Sequence, residues 1–326
     1  MNMATFKQTQ PLLEGGVDLP LFHQRLPPQK EKVLIVLGAT GTGKSRLSID
    51  LATHFPAEII NSDKMQVHKG LDITTNKITP EESQGIPHHL FSVIDPNVDF
   101  TATNFCNLAS TSLQSITSRE QLPIIVGGSN SFVEALVDDK NKKFRSKYEC
   151  CFLWVDVSIP ILHSFLSDRV DRMLERGLIN EVRAMFNPNN DPDLYSRGIF
   201  KAISVPELDH YFRMEPFLDK KGRARVLEKA VKDIKINTCK LAYQQLEKIH
   251  KLKNVKKWKL HRLDATDVFK KRGKDADEAW ENHVMEPSIR TVGRFLYNFG
   301  PTFSYNDDWR PIATTSTTPA LAASTY

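Results

Sequence analysis

The amino-acid sequence predicts an α/β fold, a parallel sheet flanked by helices, with a smaller helical domain beside it. Apolar runs of strand length recur between helical stretches, at residues 33–37, 58–61, 123–126 and 151–157. This alternation is typical of a parallel sheet wrapped by helices. From about residue 161 to residue 250 the pattern is mostly helical and rich in charge, which predicts the smaller domain.

The residues between the first strand and the first helix match the P-loop pattern G-x-x-x-x-G-K-[ST]. They are Gly38, Ala39, Thr40, Gly41, Thr42, Gly43, Lys44 and Ser45. Strand, glycine-rich loop and helix in this order are the context in which the pattern binds phosphate, so the fold is predicted to resemble that of P-loop NTPases. The glycines let backbone N–H groups surround a phosphate, and the helix N-terminus adds a favourable dipole. Lys44 supplies a positive charge and Ser45 a hydroxyl suited to Mg²⁺, which predicts a site for a di- or triphosphate.

Two further strand ends are polar or glycine-rich. Residues 61–63 (Asn-Ser-Asp) follow the second strand, and residues 127–130 (Gly-Gly-Ser-Asn) follow the third. In parallel sheets ligands collect beyond the carboxyl ends of the strands. We therefore expect one shared site above the sheet, within a core of residues 31–160 to which residues 251–311 return with a late strand and a closing helix.

Composition restricts the class of protein. The 326 residues are 40% hydrophobic and 25% charged, which is typical of a soluble globular protein. No apolar stretch reaches the roughly 18 residues of a membrane span. Residues 219–274 hold 19 Lys and Arg against 6 Asp and Glu, which favours a polyanionic partner, either nucleotide phosphates or RNA. The segments 1–30 and 312–326 have no core-forming pattern and are predicted to be disordered, the first being at best a weak organellar signal.

The P-loop alone leaves several activities open. A GTPase switch requires N-K-x-D, but the nearest match, residues 76–79, has Thr79 in place of the aspartate. A small-metabolite kinase fits better, because Asp63 is placed to orient an acceptor hydroxyl.

Five segments in order resemble the isopentenyltransferase family, which includes tRNA dimethylallyltransferases and the enzymes that make cytokinin precursors from adenine nucleotides. They are residues 38–45, 60–67, 85–90, 94–96 and 127–132. Residues 144–156 and 238–242 resemble the plant adenylate isopentenyltransferase branch in particular.

The resemblance implies transfer of a dimethylallyl group. The adenine N6 amine attacks C1 of dimethylallyl diphosphate and pyrophosphate leaves, with Mg²⁺ on the diphosphate. Asp63 accepts the amine proton, with a metal-shell or loop-capping role as its alternative. Lys44 and Thr40 complete the implied catalytic set.

Other positions carry substrate-binding roles in the family. Ser129 and Arg145 match diphosphate contacts, and Thr75 and Lys77 match contacts to the acceptor nucleotide, each with an ordinary structural role as the alternative. Charge and position alone suggest that Lys220 reaches the acceptor's phosphates. His88 and His89 lack a third ligand at suitable spacing, so a structural role is favoured over a metal site.

The predicted acceptor is a free nucleotide, ATP or ADP rather than AMP. No cysteine follows Cys239, so the Cys₂His₂ module typical of eukaryotic tRNA-modifying members is absent from this sequence, and the stretch from 186 to 218 is short for a tRNA-gripping insertion. A tRNA dimethylallyltransferase and a P-loop kinase are the alternatives. A monomer and a plastid or cytoplasmic location are the remaining expectations.

Overall fold

The computed structural model describes residues 30–141, 143–189 and 192–297. Six strands in this part of the chain form one parallel sheet in the order β3-β2-β4-β1-β5-β6. The strands are β1 (Glu31–Gly38), β2 (Ala57–Asn61), β3 (His88–His89), β4 (Leu122–Val126), β5 (Tyr148–Asp156) and β6 (Leu260–Asp264). The predicted α/β fold is confirmed. Apart from Lys30, the two predicted disordered segments lie outside the described residues.

Eleven helices surround the sheet in the described residues. They are α1 (Lys44–His54), α2 (Ala102–Thr117), α3 (Asn130–Val137), α4 (Lys143–Lys147), α5 (Ile159–Glu175), α6 (Leu178–Met185), α7 (Val205–Met214), α8 (Lys220–Asn254), α9 (Thr266–Lys270), α10 (Lys274–Trp280) and α11 (Glu286–Tyr297). One face of the sheet packs on α1 and on the C-terminal helices, and the other on α2, α3 and the end of α8. Both faces are buried, which explains why β1, β4 and β5 read as nearly continuous apolar runs.

The mostly helical region predicted from residue 161 begins with two helices, α5 and α6. Gly177 has φ 102° and stands between α5 and α6. Because this left-handed conformation suits glycine and strains other residues, the chain turns here. The predicted closing helix is continuous from α10 to α11 and contains a π-helical turn (Glu281–Met285) between them.

A helical unit with its own core lies beside the sheet. Its buried residues come from the end of α5, from α6, from α7 and from the first half of α8, where Ala230 and Ile234 contribute. Further along the same helix, Leu246, Ile249 and Leu252 pack on the sheet. The boundary expected at residue 250 therefore falls inside α8. None of the described helices combines the length and apolar character needed to cross a bilayer.

Candidate active site

A cavity of about 460 Å³ lies above the carboxyl ends of β1, β2 and β4, between the sheet and the helical unit. The P-loop, Asp63 after β2 and Gly127 and Gly128 after β4 all line it. These are the three strand ends that the sequence predicts to meet. Side chains from α5 and α8 form the opposite wall, so both parts of the fold line the cavity.

The P-loop is tightly packed against its neighbours. Gly41 and Gly43 have φ 81° and 91°, and a Cβ at either position would approach Leu166 Cδ2 at 2.7 Å or the Trp280 ring at 2.9 Å. Lys44 is buried, and its Nζ donates to the carbonyl oxygen of Ala39 at 2.6 Å. The lysine is thus held by a carbonyl of its own loop.

Arg169 on α5 is a second buried cation at the P-loop. Its Nη2 donates to Thr40 Oγ1 at 3.1 Å, and its buried Nε has no hydrogen-bond partner among the described residues. Burial lowers the pKa of Arg169 to about 10, and Arg172 adds to the effect while Asp63 opposes it. Burial also lowers the pKa of Lys44 to about 8, with Arg169 contributing and Asp63 opposing. Two desolvated cations facing a cavity constitute a site for an anion.

Gln245 on α8 connects the P-loop to the loop after β4. Its Oε1 accepts the Thr40 N–H at 2.7 Å, and its Nε2 donates to the Gly128 carbonyl oxygen at 3.0 Å. A Cβ at position 128 would lie 2.4 Å from Gln245 Nε2, so only glycine allows this approach. Thr40 is therefore fixed by Gln245 at its backbone and by Arg169 at its hydroxyl.

Asp63 is held by its own loop. Its backbone N–H donates to Asn61 Oδ1 at 3.0 Å, and its Oδ1 accepts the N–H of Met65 at 2.8 Å. Its Oδ2 would lie 3.2 Å from a Cβ at Gly128, which places this oxygen beside the β4 loop. One carboxylate oxygen thus caps the loop, and the group as a whole lines the cavity.

Thr75 and Lys77 occupy the same turn but have different surroundings. Thr75 lines the cavity, and its Oγ1 donates to the Leu71 carbonyl oxygen at 2.7 Å. Lys77 Nζ is buried and donates to the carbonyl oxygens of His68 at 2.5 Å and Gly70 at 2.8 Å and to Asp72 Oδ1 at 2.9 Å. Lys77 is not among the residues that line the cavity, and its ammonium group shapes the turn.

Arg145 and Lys220, which the sequence analysis assigned to substrate binding, both lie away from the cavity. Arg145 precedes β5. Tyr148, the first residue of that strand, pairs with Glu31 at the amino ends of the parallel strands, roughly 25 Å from the P-loop at their carboxyl ends. There Arg145 forms a salt bridge with Asp138 at 3.0 Å. Lys220 is the exposed first residue of α8, about 20 Å along the helix from Ile234, the first α8 residue in the cavity wall.

Ser129 lies beside the cavity without lining it. Its Oγ accepts the N–H of Lys64 at 3.0 Å, so it braces the loop that carries Asp63. His89 Nε2 lies 2.6 Å from Glu58 Oε2, and His88 Nδ1 lies 2.7 Å from the Ile86 carbonyl oxygen. Within the described ranges no cluster of three or more His, Cys, Asp or Glu side chains could hold a metal ion.

The charge of the cavity wall is strongly positive. Its acidic side chains are Asp63 and Glu82, and its basic ones are Lys44, Arg46, Lys64, Arg169, Arg172, Arg176 and Lys201. Arg169 and Arg172 of α5 and Arg176 at its C-cap recur at spacings of three and four, which places them on one helix face. The sequence shows these arginines as part of a charged helical region. It does not show which face of α5 meets the P-loop, because that depends on tertiary packing.

Comparison with known proteins agrees with this geometry. The family model described as IPP transferase matches residues 66–147 and 138–251. The protein belongs to this family. It is 56% identical over 295 residues to adenylate isopentenyltransferase 3, chloroplastic, of Arabidopsis thaliana, a match that covers 90% of this chain and 85% of the relative. It is 47% identical over 296 residues to the adenylate isopentenyltransferase of Humulus lupulus, covering 80% and 89% of the two chains.

Solved structures of the family share the fold. A eukaryotic dimethylallyltransferase acting on tRNA matches with a TM-score of 0.70 at 24% identity, over 82% of this chain and 80% of that one. The tRNA isopentenylpyrophosphate transferase of Bacillus halodurans matches with a TM-score of 0.63 at 23% identity, over 82% of this chain and all of that one. The predicted resemblance to the isopentenyltransferase family is confirmed.

Proposed function

We propose that the protein transfers the dimethylallyl group of dimethylallyl diphosphate to N6 of the adenine of ATP or ADP, and less well of AMP, as a first step of cytokinin biosynthesis. The observation that carries the proposal is the placement of Asp63 in the same cavity as the buried cations Lys44 and Arg169. The curated relatives support the choice of reaction, because they are named adenylate isopentenyltransferases and align over most of both chains.

The P-loop binds the diphosphate of the donor. Backbone N–H groups of residues 38–45 surround it, and Lys44 exchanges its bond to Ala39 for a bond to phosphate oxygen. Arg169, rather than Arg145, is the arginine placed to contact the same group. Since negative charge grows on pyrophosphate as the C1–O bond breaks, two fixed cations beside it stabilise the transition state.

Ser45 fits the proposed Mg²⁺. Its side chain is at the first turn of α1 and lines the cavity, as does the carboxylate of Asp63. A few oxygen donors suit Mg²⁺, which keeps water and substrate phosphates as most of its ligands. Bound there, the ion would neutralise charge on the departing diphosphate.

Asp63 is the proposed base for the acceptor amine. The adenine amine is a poor nucleophile, because its lone pair is delocalised into the ring. As the N6–C1 bond forms, the nitrogen becomes acidic and its proton passes to the carboxylate. Thr40, fixed by Gln245 and Arg169, presents its hydroxyl on the donor side of the reacting atoms. The apolar side chains of Phe91, Leu241 and other cavity residues suit the prenyl chain.

The acceptor's phosphates are assigned to the basic wall. Lys201, Arg172 and Arg176 line the cavity outside the P-loop, whereas Lys220 does not. A wall with three such cations favours a polyphosphate tail over a single phosphate. Thr75 lies where the nucleoside is proposed to bind. A monomer in the plastid or cytoplasm is the matching proposal for assembly and location, and Arabidopsis relatives are named both chloroplastic and mitochondrial.

The proposal is tested by incubating the full chain with dimethylallyl diphosphate, Mg²⁺ and one acceptor at a time: AMP, ADP, ATP or unmodified tRNA. Mass spectrometry is expected to detect isopentenyl-ADP and isopentenyl-ATP, with less product from AMP and none from tRNA. Product from tRNA alone would identify a tRNA-modifying enzyme. Consumption of ATP to ADP with a small alcohol, and no prenylated product, would instead identify a kinase.

A further inference from the structure

Residues 71–77, termed the acceptor turn below, form a single helical turn at the edge of the cavity. The N–H of Thr75 donates to the Leu71 carbonyl oxygen at 2.9 Å, and the N–H of Lys77 donates to that of Asp72 at 2.9 Å. Leu71 and Asn76 have φ 53° and 50°, a left-handed conformation that is unfavourable for leucine and that asparagine adopts more readily. Such a turn keeps its shape only when its surroundings fix it.

Glu181 of α6 caps the first N–H groups of this turn. Its Oε1 accepts the N–H of Ile73 at 2.8 Å, and its Oε2 accepts both the N–H and the Oγ1–H of Thr74 at 2.7 Å. The two segments are 107 residues apart in sequence. One carboxylate of α6 thus satisfies three donors of a turn from a distant part of the chain, in the manner of a helix N-cap.

The opposite side of the turn is held from within the core. Gln66 Nε2 donates to the carbonyl oxygens of Thr75 and Asn76 at 3.1 Å each. Thr74, Thr75 and Asn76 all line the cavity. Glu181 therefore acts on the cavity through the turn, because its own side chain is absent from the cavity wall.

We propose that Glu181 is a positioning residue for the acceptor nucleotide, which holds the acceptor turn in its binding conformation. The inference rests on the proposed function, in which the nucleoside binds beside Thr75. The donor site depends on the P-loop and on Arg169, neither of which hydrogen-bonds to Glu181. Loss of the carboxylate should consequently weaken acceptor binding and leave donor binding unchanged.

Glu181→Gln and Glu181→Ala test this inference, with Glu175→Gln as the matched control. Glu175 is an exposed acid at the end of α5 and has the same formal charge. In glutamine an NH₂ group, which cannot accept these bonds, replaces one of the two carboxylate oxygens. At least one of the three hydrogen bonds is therefore lost. Because a bond to a charged acceptor is worth about tenfold or more in an equilibrium constant, the KM for ADP is expected to rise about tenfold in Glu181→Gln. A larger rise is expected in Glu181→Ala.

The KM for dimethylallyl diphosphate should stay within about twofold of the wild-type value, since donor contacts are not altered. Hydrogen exchange should accelerate at the amides of Ile73 and Thr74 in both Glu181 variants and not in the control. Equal increases in both KM values, or faster exchange without a change in the KM for ADP, would overturn the inference.

Two measurements keep this test separate from the proposed function. Calorimetric binding of ADP needs no turnover, and it should weaken in the Glu181 variants relative to Glu175→Gln. If the wild-type chain binds ADP but makes no prenylated nucleotide, the proposed reaction fails while the positioning role is still decided by binding. If Glu181→Ala does not fold, Thr74→Val removes the hydroxyl bond alone and should give a smaller rise in the dissociation constant for ADP; an unchanged value would count against the inference.

Discussion

Replacing Arg169 by methionine separates the catalytic value of a buried cation from its cost to the fold. The guanidinium is enclosed at the P-loop, with one hydrogen bond to Thr40 and a buried Nε that has no partner in the described part of the chain. In the complex, its N–H groups are expected to contact the departing diphosphate. A hydrogen bond to a charged group is worth about 1.5–3 kcal/mol, so kcat/KM for dimethylallyl diphosphate should fall by about 10- to 150-fold.

The stability of Arg169→Met should move in the other direction. Burial lowers the pKa of Arg169 to about 10, which means that the fold disfavours its charged form. Methionine fills similar volume without a charge, so the melting temperature should not fall. Removal of this neighbour should also raise the pKa of Lys44, since Arg169 contributes to its depression.

Steady-state rates with varied donor at saturating ADP, together with thermal unfolding, measure both effects. Arg225→Met, at an exposed position on α8, is the matched control and should resemble wild type. An unchanged kcat/KM for the donor in Arg169→Met would refute the assignment. So would a loss shared equally by donor and acceptor together with a lower melting temperature, because that pattern describes a damaged fold.

Three further predictions concern the chemistry and the acceptor. Asp63→Asn should lower kcat by about 10²- to 10⁴-fold while calorimetric binding of dimethylallyl diphosphate stays near wild type, and a fully active variant would remove Asp63 from the mechanism. Because the pKa of Lys44 is lowered from 10.5 to about 8, kcat/KM for the donor should decline as pH rises through about 8. Between about pH 8 and pH 10.5 the contribution of Lys44 to the free energy of unfolding should increase with pH, because the unfolded chain still binds the proton that the folded chain has released. In Lys44→Arg this contribution should not change with pH, and the unfolding measurement on that variant is the check. Lys201→Ala should raise the KM of ATP relative to that of AMP, whereas Lys220→Ala should leave the ratio unchanged; the reverse result would restore the original sequence prediction.

The sequence predicted the parts of the site that are built from neighbouring residues. The P-loop was recognisable because its strand, glycines and helix are contiguous, and Asp63 because it directly follows a strand. Arg145 shows where the family resemblance and the topology disagree. A residue that precedes a parallel strand lies at the amino ends of the strands, whereas ligands bind at their carboxyl ends. Lys77 was ambiguous for another reason, since a buried structural lysine and an exposed binding one look alike in a sequence.

The residues that were missed depend on distant contacts. Arg169 reaches Thr40 across 129 positions, and Gln245 reaches it across 205. Nothing local to α5 or α8 specifies which helix face turns toward the P-loop. Those faces are selected by the packing of α5 against α8 and of α8 against the sheet.

The continuity of α8 restricts how substrates reach the cavity. The helix has 35 residues and is about 50 Å long, and it places Ile234 and Thr238 in the cavity wall while Leu252 is anchored under the sheet. A hinge motion that separates the helical unit from the sheet would have to bend this continuous helix and break some of its backbone hydrogen bonds. We therefore expect substrates to enter and pyrophosphate to leave without a large movement of the helical unit away from the sheet.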